Sequence, residues 1–283
     1  MSASFATITN FVTIYCGVPI LIVGVMGCIL VSIVFLSLQT FRKSSCALYL
    51  TVMSMMNIGQ LMFSLGPRIM VVTLGFDGSE SSLFYCKFRG YITHVFVGCS
   101  LTCLCLATID QYFATCFRPR WQQWCNTRVA KYLIIITITV WMLHGILYLI
   151  FNDHVLSSTT NKISCTTPNP IFTQYRACFV ILVLFGYLPL TIAILFGSMA
   201  FRNLQQMAYR TVPLIRRELE KQLTVMVLIQ VIVNIFTLLP FTTVNALSEI
   251  PSLTINPDTK TKLNFAATIT IFNFYIFFAV SNR

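Results

Sequence analysis

Residues 86–117 constrain the fold of this chain more than any other stretch, because they have polar ends and an apolar middle. A cysteine begins the stretch, about eight helical turns of apolar and small side chains follow, and Asp-Gln-Tyr at 110–112 precedes the basic run 118–120. An α-helix rises about 1.5 Å per residue, so residues 86 and 112 are ~39 Å apart. This length crosses a hydrocarbon core of about 30 Å and leaves both ends in polar interfaces.

The composition is that of a helical membrane protein. Of the 283 residues, 57% are hydrophobic and only 10% are charged, and the mean hydropathy is +0.80. Soluble domains carry about 25% charged residues. The net charge of +11 does not predict nucleic-acid binding, because the charges occupy short loops between apolar runs. We find no zinc-ligand spacing, phosphate-binding loop or nucleophile elbow, so we expect no metal, no cofactor and no enzymatic activity.

Seven apolar runs predict an all-α membrane protein, a seven-transmembrane helix bundle that forms one domain over residues 1–283. The first run has no basic region before it and is long enough to span, so we expect it to act as its own insertion signal, without cleavage. The predicted spans 1 to 7 cover approximately residues 11–38, 46–74, 83–117, 128–151, 171–201, 217–247 and 262–281.

The distribution of basic residues predicts the orientation of the bundle. With the N-terminus outside, the inner segments hold twelve of the Lys and Arg residues and the outer segments hold seven. Cytoplasmic loops are enriched in Lys and Arg. We therefore expect the N-terminus outside, the C-terminus inside, and inner loops that also contact membrane lipid.

Two cysteines lie on the predicted outer side. Cys86 begins span 3, and Cys165 lies in the loop between spans 4 and 5. Disulfides are stable in the oxidising outer compartment, so we expect a bridge that holds this loop over the mouth of the bundle. Two free thiols are the alternative.

A set of marker residues resembles the rhodopsin-like G-protein-coupled receptors over essentially the whole chain. Cys86 and the Asp-Gln-Tyr triplet that begins 24 residues later are similar to the Cys and Asp-Arg-Tyr of that family. Trp141, Pro189 and Pro240 resemble the markers of spans 4, 5 and 6, and Cys165 resembles the second-loop cysteine. The resemblance implies a plasma-membrane receptor that binds an extracellular ligand and signals to a heterotrimeric G protein.

The resemblance also places a ligand site in the outer half of the bundle. Thr93 stands where amine receptors have an aspartate, and Ala267 stands where opsins have the retinal lysine, so an amine ligand and light reception are both disfavoured. Arg68, Lys162 and Arg176 favour an acidic group, such as a peptide carboxylate. The candidate ligand residues are Arg68, Thr93, His94, Val97, Phe241 and Asn245. For His94, ordinary packing is the alternative.

The chain departs from the family at several switch positions. Gln111 replaces the arginine, Asn57 the span 2 aspartate, and Cys28 the span 1 asparagine; Leu238 stands at the span 6 tryptophan position. The stretch from Asn273 to Phe277 resembles Asn-Pro-x-x-Tyr with Phe274 and Phe277 in place of its proline and tyrosine. The candidate activation residues are Asp110, Gln111, Tyr112, Glu220, Pro240, Asn273 and Phe277, and Asn57 is the candidate polar core residue. The chain stops at Arg283, before the amphipathic eighth helix that is usual in the family, so we expect this helix either to be missing or to be cut off.

These departures predict altered signalling. Glu220 is positioned like the span 6 acid of the family, and a neutral Gln111 holds it less strongly than an arginine does. We expect high basal signalling or poor coupling, and no strong sodium effect at Asn57. An interfacial Gln111 and a packing role for Asn57 are the alternatives. A receptor-like protein that binds without signalling remains open; a transporter or channel is less favoured, because we find no inverted repeat or midplane charge pair.

Overall fold

The computed structural model describes residues 2–156, 163–207, 214–248 and 257–280, with all their side chains except those of residues 2–6, 40, 119, 207, 214–217, 219, 220, 257–261 and 264. Six helices in these ranges are long and apolar enough to cross a membrane, and Phe265–Val280 is a shorter apolar helix. The predicted fold class, a seven-transmembrane helix bundle, is confirmed.

Most of the helices are continuous, and two contain π-helical segments. Span 1 is Ser2–Ser37, and the short helix Gln39–Arg42 follows it. Span 2 consists of Ser45–Gln60, the π-helical Leu61–Leu65 and Gly66–Leu74; span 3 is Leu83–Thr115; span 4 is Thr127–Phe151. Span 5 consists of Pro170–Gln174, the π-helical Tyr175–Tyr187 and Leu188–Met207; span 6 is Leu214–Ser248; span 7 is Pro257–Val280. Gly78–Ser81 and Pro119–Gln122 are single helical turns in loops.

Span 3 is the central helix of the bundle. Within its apolar window 67% of the residues are buried, compared with 22% in spans 1 and 4. Gly98 allows the close approach of span 4, because a Cβ there would lie 2.5 Å from Cε3 of Trp141. The indole N–H of Trp141 donates to the hydroxyl of Thr102 at 2.9 Å. The core cluster extends from span 3 to side chains of the other spans.

A disulfide and a hairpin cover the outer end of span 3. Cys86 and Cys165 are bonded, with Cα atoms 5.7 Å apart, so the predicted link is present. Cys165 lies in strand β2 (Ile163–Thr166), which pairs antiparallel with β1 (Asp153–Leu156). The ring Nε2 of His154 is 2.7 Å from the carbonyl of Ser79, which joins the hairpin to the loop after span 2.

The π-helical segment of span 2 has a local cause. Pro67 lacks an N–H, and its ring clashes with the carbonyl four residues earlier in a regular helix. Here Gly66 donates its N–H to the carbonyl of Leu61, five residues back, and the α-helix restarts with Pro67 in its first turn. A π-helical turn therefore lies directly before this proline.

Candidate functional site

A cavity of about 320 Å³ lies in the outer half of the bundle. Side chains from spans 2 to 7 converge on it, and the span 4 wall continues to Asn152, just beyond the helix end. We call it the outer cavity, and its lining residues are Gln60, Ser64, Gly90, Thr93, His94, Val97, Tyr148, Asn152, Arg176, Ile181, Phe185, Phe241, Ile271, Phe274 and Tyr275.

The outer cavity contains four of the six candidate ligand residues. Thr93, His94, Val97 and Phe241 line it, and the other two do not. Asn245 donates its amide to the carbonyl of Phe241 in its own helix at 2.8 Å. The Nε of Arg68, the other residue outside the lining, is buried without a hydrogen-bond partner in the part of the chain that the structure describes. Lys162 lies outside the described residues.

A chain of hydrogen bonds joins spans 3, 4 and 5 at the wall of the cavity. Nε2 of His94 is 2.7 Å from Nδ1 of His144, and Nε2 of His144 is 2.9 Å from the hydroxyl of Tyr175. The ring of His94 also stacks on Tyr148, with centroids 4.5 Å apart. His94 is 4% exposed, so it is both a packed residue and part of the cavity wall. The sequence analysis missed His144, although it lies three residues after Trp141 and hence on the same side of span 4.

Polar groups of spans 2 and 7 and aromatic rings of spans 6 and 7 form another side of the outer cavity. The hydroxyls of Ser64 and Tyr275 are 2.7 Å apart. The Oε1 of Gln60 is buried without a hydrogen-bond partner among the described residues. Phe241 and Phe274 stack in parallel with centroids 4.2 Å apart. This side therefore combines an apolar surface with a few oriented polar atoms, as ligand pockets usually do.

Deeper in the bundle, Asn57 is fully buried and accepts a hydrogen bond from the hydroxyl of Ser100. Its Nδ2 has no hydrogen-bond partner in the described residues. Asn273, one of the candidate activation residues, donates to the carbonyl of Phe236 at 2.9 Å. Asn57 therefore connects span 2 with span 3, and Asn273 connects span 7 with span 6.

The inner end of span 3 contacts spans 2 and 6. The hydroxyl of Ser45 lies 2.8 Å from both carboxylate oxygens of Asp110. The hydroxyl of Thr224 donates to Oε1 of Gln111 at 2.8 Å, and both residues are buried. The partner expected for Gln111 was Glu220, whose side chain is not among those that the structure describes. Thr224, one helical turn later on span 6, was missed by the sequence analysis, although residues four apart share a helix face.

The remaining candidate switch residues lie near this inner half of the bundle or at the span 6 proline. Tyr112 packs edge-on against Phe196, with centroids 5.6 Å apart. Phe277 is fully buried and meets Phe278 edge-on at 5.0 Å. Pro240 is half-buried within span 6. These contacts are apolar, so any switching at Phe277 involves packing and not a hydrogen bond.

Within the described ranges, no cluster of three or more His, Cys, Asp or Glu side chains has the geometry to hold a metal ion.

Comparison with known proteins gives one family and two relatives. A family model described as 7 transmembrane receptor (rhodopsin family) matches residues 4–282. The chain is 26% identical over 237 residues to somatostatin receptor type 2 of Sus scrofa, and likewise to that of Mus musculus. The match covers 80% of this chain and 63% of each relative, so the chain spans less than two thirds of the length of these curated relatives.

Proposed function

Because the chain belongs to the rhodopsin family of seven-transmembrane receptors, we propose that it binds an extracellular peptide and transmits a conformational change to a heterotrimeric G protein. The observation that carries the proposal is the outer cavity, whose lining combines polar and aromatic side chains from six spans. A ligand that contacts six helices stabilises one arrangement of them over another, and this is how binding outside changes the population of states inside.

Two features support a peptide as the ligand and a G protein as the intracellular partner. The matched relatives are named as receptors for somatostatin, which is a peptide. On the inner side, Arg118 and Arg120 are exposed beside the end of span 3 and offer a basic surface to a G protein and to anionic lipid. A plasma-membrane location belongs to the same proposal, and labelling of intact cells with a membrane-impermeant reagent tests it.

A second candidate function is a receptor-like protein that binds a peptide without activating a G protein. The contact between Gln111 and Thr224 favours it, because the link between spans 3 and 6 is a neutral hydrogen bond without the charge that the family's arginine supplies. Phe277 adds to this, since its side chain cannot form the hydrogen bond that a tyrosine hydroxyl forms.

Two measurements on the same receptor preparation separate these functions. The first is nucleotide exchange on a panel of purified G proteins with a synthetic peptide library, and the second is a binding readout independent of G proteins, such as peptide-induced thermal stabilisation. We expect library members that both bind and accelerate exchange. Binding without exchange on every G protein supports the second candidate. A library that neither binds nor stabilises the receptor contradicts both.

A further inference from the structure

A buried glutamine in the wall of the outer cavity indicates one chemical group of the ligand. Gln60 lines the cavity and is 3% exposed, and its Oε1 has no hydrogen-bond partner among the described residues. A buried polar atom without a partner is costly, and protein, water or a ligand usually satisfies it. Resting on the proposed function, we propose that the ligand inserts an aromatic ring with a hydrogen-bond donor, an indole N–H or a phenol O–H, which donates to Gln60.

Hydrogen bonds on either side of Gln60 hold the span 2 wall in place. One helical turn earlier, Asn57 accepts a hydrogen bond from the hydroxyl of Ser100 on span 3. One turn later, the hydroxyl of Ser64 lies 2.7 Å from that of Tyr275 on span 7. Gln60 lies between these two contacts, at the end of the α-helical part of span 2. Spans 3 and 7 therefore fix the backbone that carries its amide.

The amide of Gln60 is able to turn toward a ligand. Its Oε1 is closed off from solvent within the wall, and the terminal torsion of a glutamine side chain has a broad energy minimum. Because Oε1 accepts no hydrogen bond from the described residues, a rotation that brings it into the cavity breaks no bond to them. A donor in the cavity therefore gains this hydrogen bond without the loss of another one at Oε1.

Aromatic side chains bound the cavity on two sides. On spans 6 and 7, Phe241 and Phe274 stack in parallel with ring centroids 4.2 Å apart. On the side of spans 3 and 5, the rings of His94 and Phe185 pack with centroids 5.2 Å apart. All four side chains line the cavity. Since aromatic rings attract one another beyond the burial of apolar surface, a planar ring between these two sides is favoured over an aliphatic side chain.

The acceptor lies next to the aromatic side formed by spans 6 and 7. Tyr275 bonds to Ser64, one turn from Gln60, and its ring centroid is 6.2 Å from that of Phe274. An inserted ring can therefore direct an edge to Gln60 while its faces contact aromatic side chains. Indole and phenol both carry a donor at the ring edge. A phenyl ring without this donor excludes water from the cavity and leaves Oε1 unpaired.

The size of the cavity limits how much of the ligand enters. A volume of about 320 Å³ is at the lower end of the range of small-molecule sites. It holds one large aromatic side chain with its adjoining backbone, and a longer peptide must leave most of its residues outside. The donor has two chemical sources, a tryptophan or a tyrosine side chain, and the experiment distinguishes them.

The experiment measures thermal unfolding of the purified full chain with two matched pairs of neutral probes. N-acetyl-tryptophanamide is compared with its benzothienyl analogue, in which sulfur replaces the indole N–H, and N-acetyl-tyrosinamide is compared with N-acetyl-phenylalaninamide. The rise in melting temperature with probe concentration gives each affinity. We expect the donor-bearing member of at least one pair to bind roughly twofold to tenfold more tightly, as one additional hydrogen bond allows. The pair with the larger ratio identifies the side chain.

Matched glutamine variants locate the effect. Gln60→Met removes the acceptor at similar length, so the affinity ratio within the pair should fall to about one. Gln111→Met is the control, because Gln111 is an equally buried glutamine that accepts from Thr224 and does not line the cavity. It should leave the ratio unchanged, even if both affinities shift together.

Three results overturn the proposal: equal or tighter binding of the donor-free member in both pairs, no stabilisation by any probe, or an unchanged ratio in Gln60→Met. The probe pairs are compared on the unmodified chain, so a variant that fails to fold does not prevent the test. If library peptides without tryptophan and tyrosine accelerate nucleotide exchange as well as those that contain them, the donor inference fails while the receptor function stands. If the probes discriminate as expected but no peptide binds, the donor inference stands and the peptide function fails.

Discussion

The hydrogen bond from Thr224 to Gln111 joins the inner halves of spans 3 and 6, and a double-mutant cycle measures its strength. Thr224→Val removes the donor at nearly constant shape, and Gln111→Leu removes the acceptor. Hydrogen bonds between transmembrane helices contribute about 0.6 kcal/mol on average and up to about 1.7. We therefore expect a coupling energy between about 0.6 and 1.7 kcal/mol from the two single variants and the double variant.

The structure also predicts an order among the variants. The Nε2 of Gln111 is already buried without a hydrogen-bond partner in the described part of the chain. Thr224→Val also removes the hydroxyl that donates to Oε1, and a buried polar group that loses its partner costs about 1–3 kcal/mol. The double variant, which has no amide at this position, should therefore be more stable than Thr224→Val alone.

Thermal unfolding of the four proteins in one detergent gives the cycle. The matched control pairs Gln111→Leu with Thr237→Val, because Thr237 is buried on the same helix but donates to the carbonyl of Val233 in its own span at 2.9 Å. Independent sites add within about 0.5 kcal/mol. A coupling energy for Gln111 and Thr224 no larger than that of the control pair, or a double variant less stable than Thr224→Val, refutes the reasoning.

Three further predictions concern the core and the proposed switch. Gly98→Ala should destabilise the fold by about 1–3 kcal/mol, since its Cβ would lie 2.5 Å from Cε3 of Trp141. In the same unfolding assay Gly27→Ala should stay within about 0.5 kcal/mol, because its Cβ would lie 3.9 Å from the nearest atom among the described residues, the carbonyl oxygen of Ala279. Peptide affinity should be insensitive to replacing sodium by a large organic cation, because Asn57 carries no charge; a sodium-dependent affinity contradicts this. Gln111→Arg should change basal nucleotide exchange or coupling, and identical values for both would show that Gln111 is not a switch residue.

Hydropathy and charge predicted the large-scale architecture because both are properties of single segments. The spans follow from apolar length, and the link between Cys86 and Cys165 follows from two cysteines on the oxidising side. Thr93, His94 and Val97 line the cavity together because residues at these spacings share one face of a helix.

Contacts between helices were the part that the sequence did not predict. His144 bonds to both His94 and Tyr175 only because spans 3, 4 and 5 meet in one register, and no local pattern specifies that register. Arg68 was the more prominent basic candidate, whereas Arg176 lines the cavity. A π-helical segment of 13 residues that sets the direction of a side chain is not visible in a hydrophobic pattern.

The two π-helical segments affect how this chain is compared with its relatives. A π-helical turn accommodates one more residue than an α-helical turn, so every later side chain in the span is rotated relative to a regularly wound helix. Counting residues from a marker such as Pro189 therefore matches wrong partners when one helix has such a segment and the other does not. The span 5 cavity residues Arg176, Ile181 and Phe185 lie within the π-helical segment that precedes Pro189. These positions therefore have to be assigned to relatives by superposition in space, because a transfer of mutagenesis data by aligned numbering alone targets side chains on the wrong face.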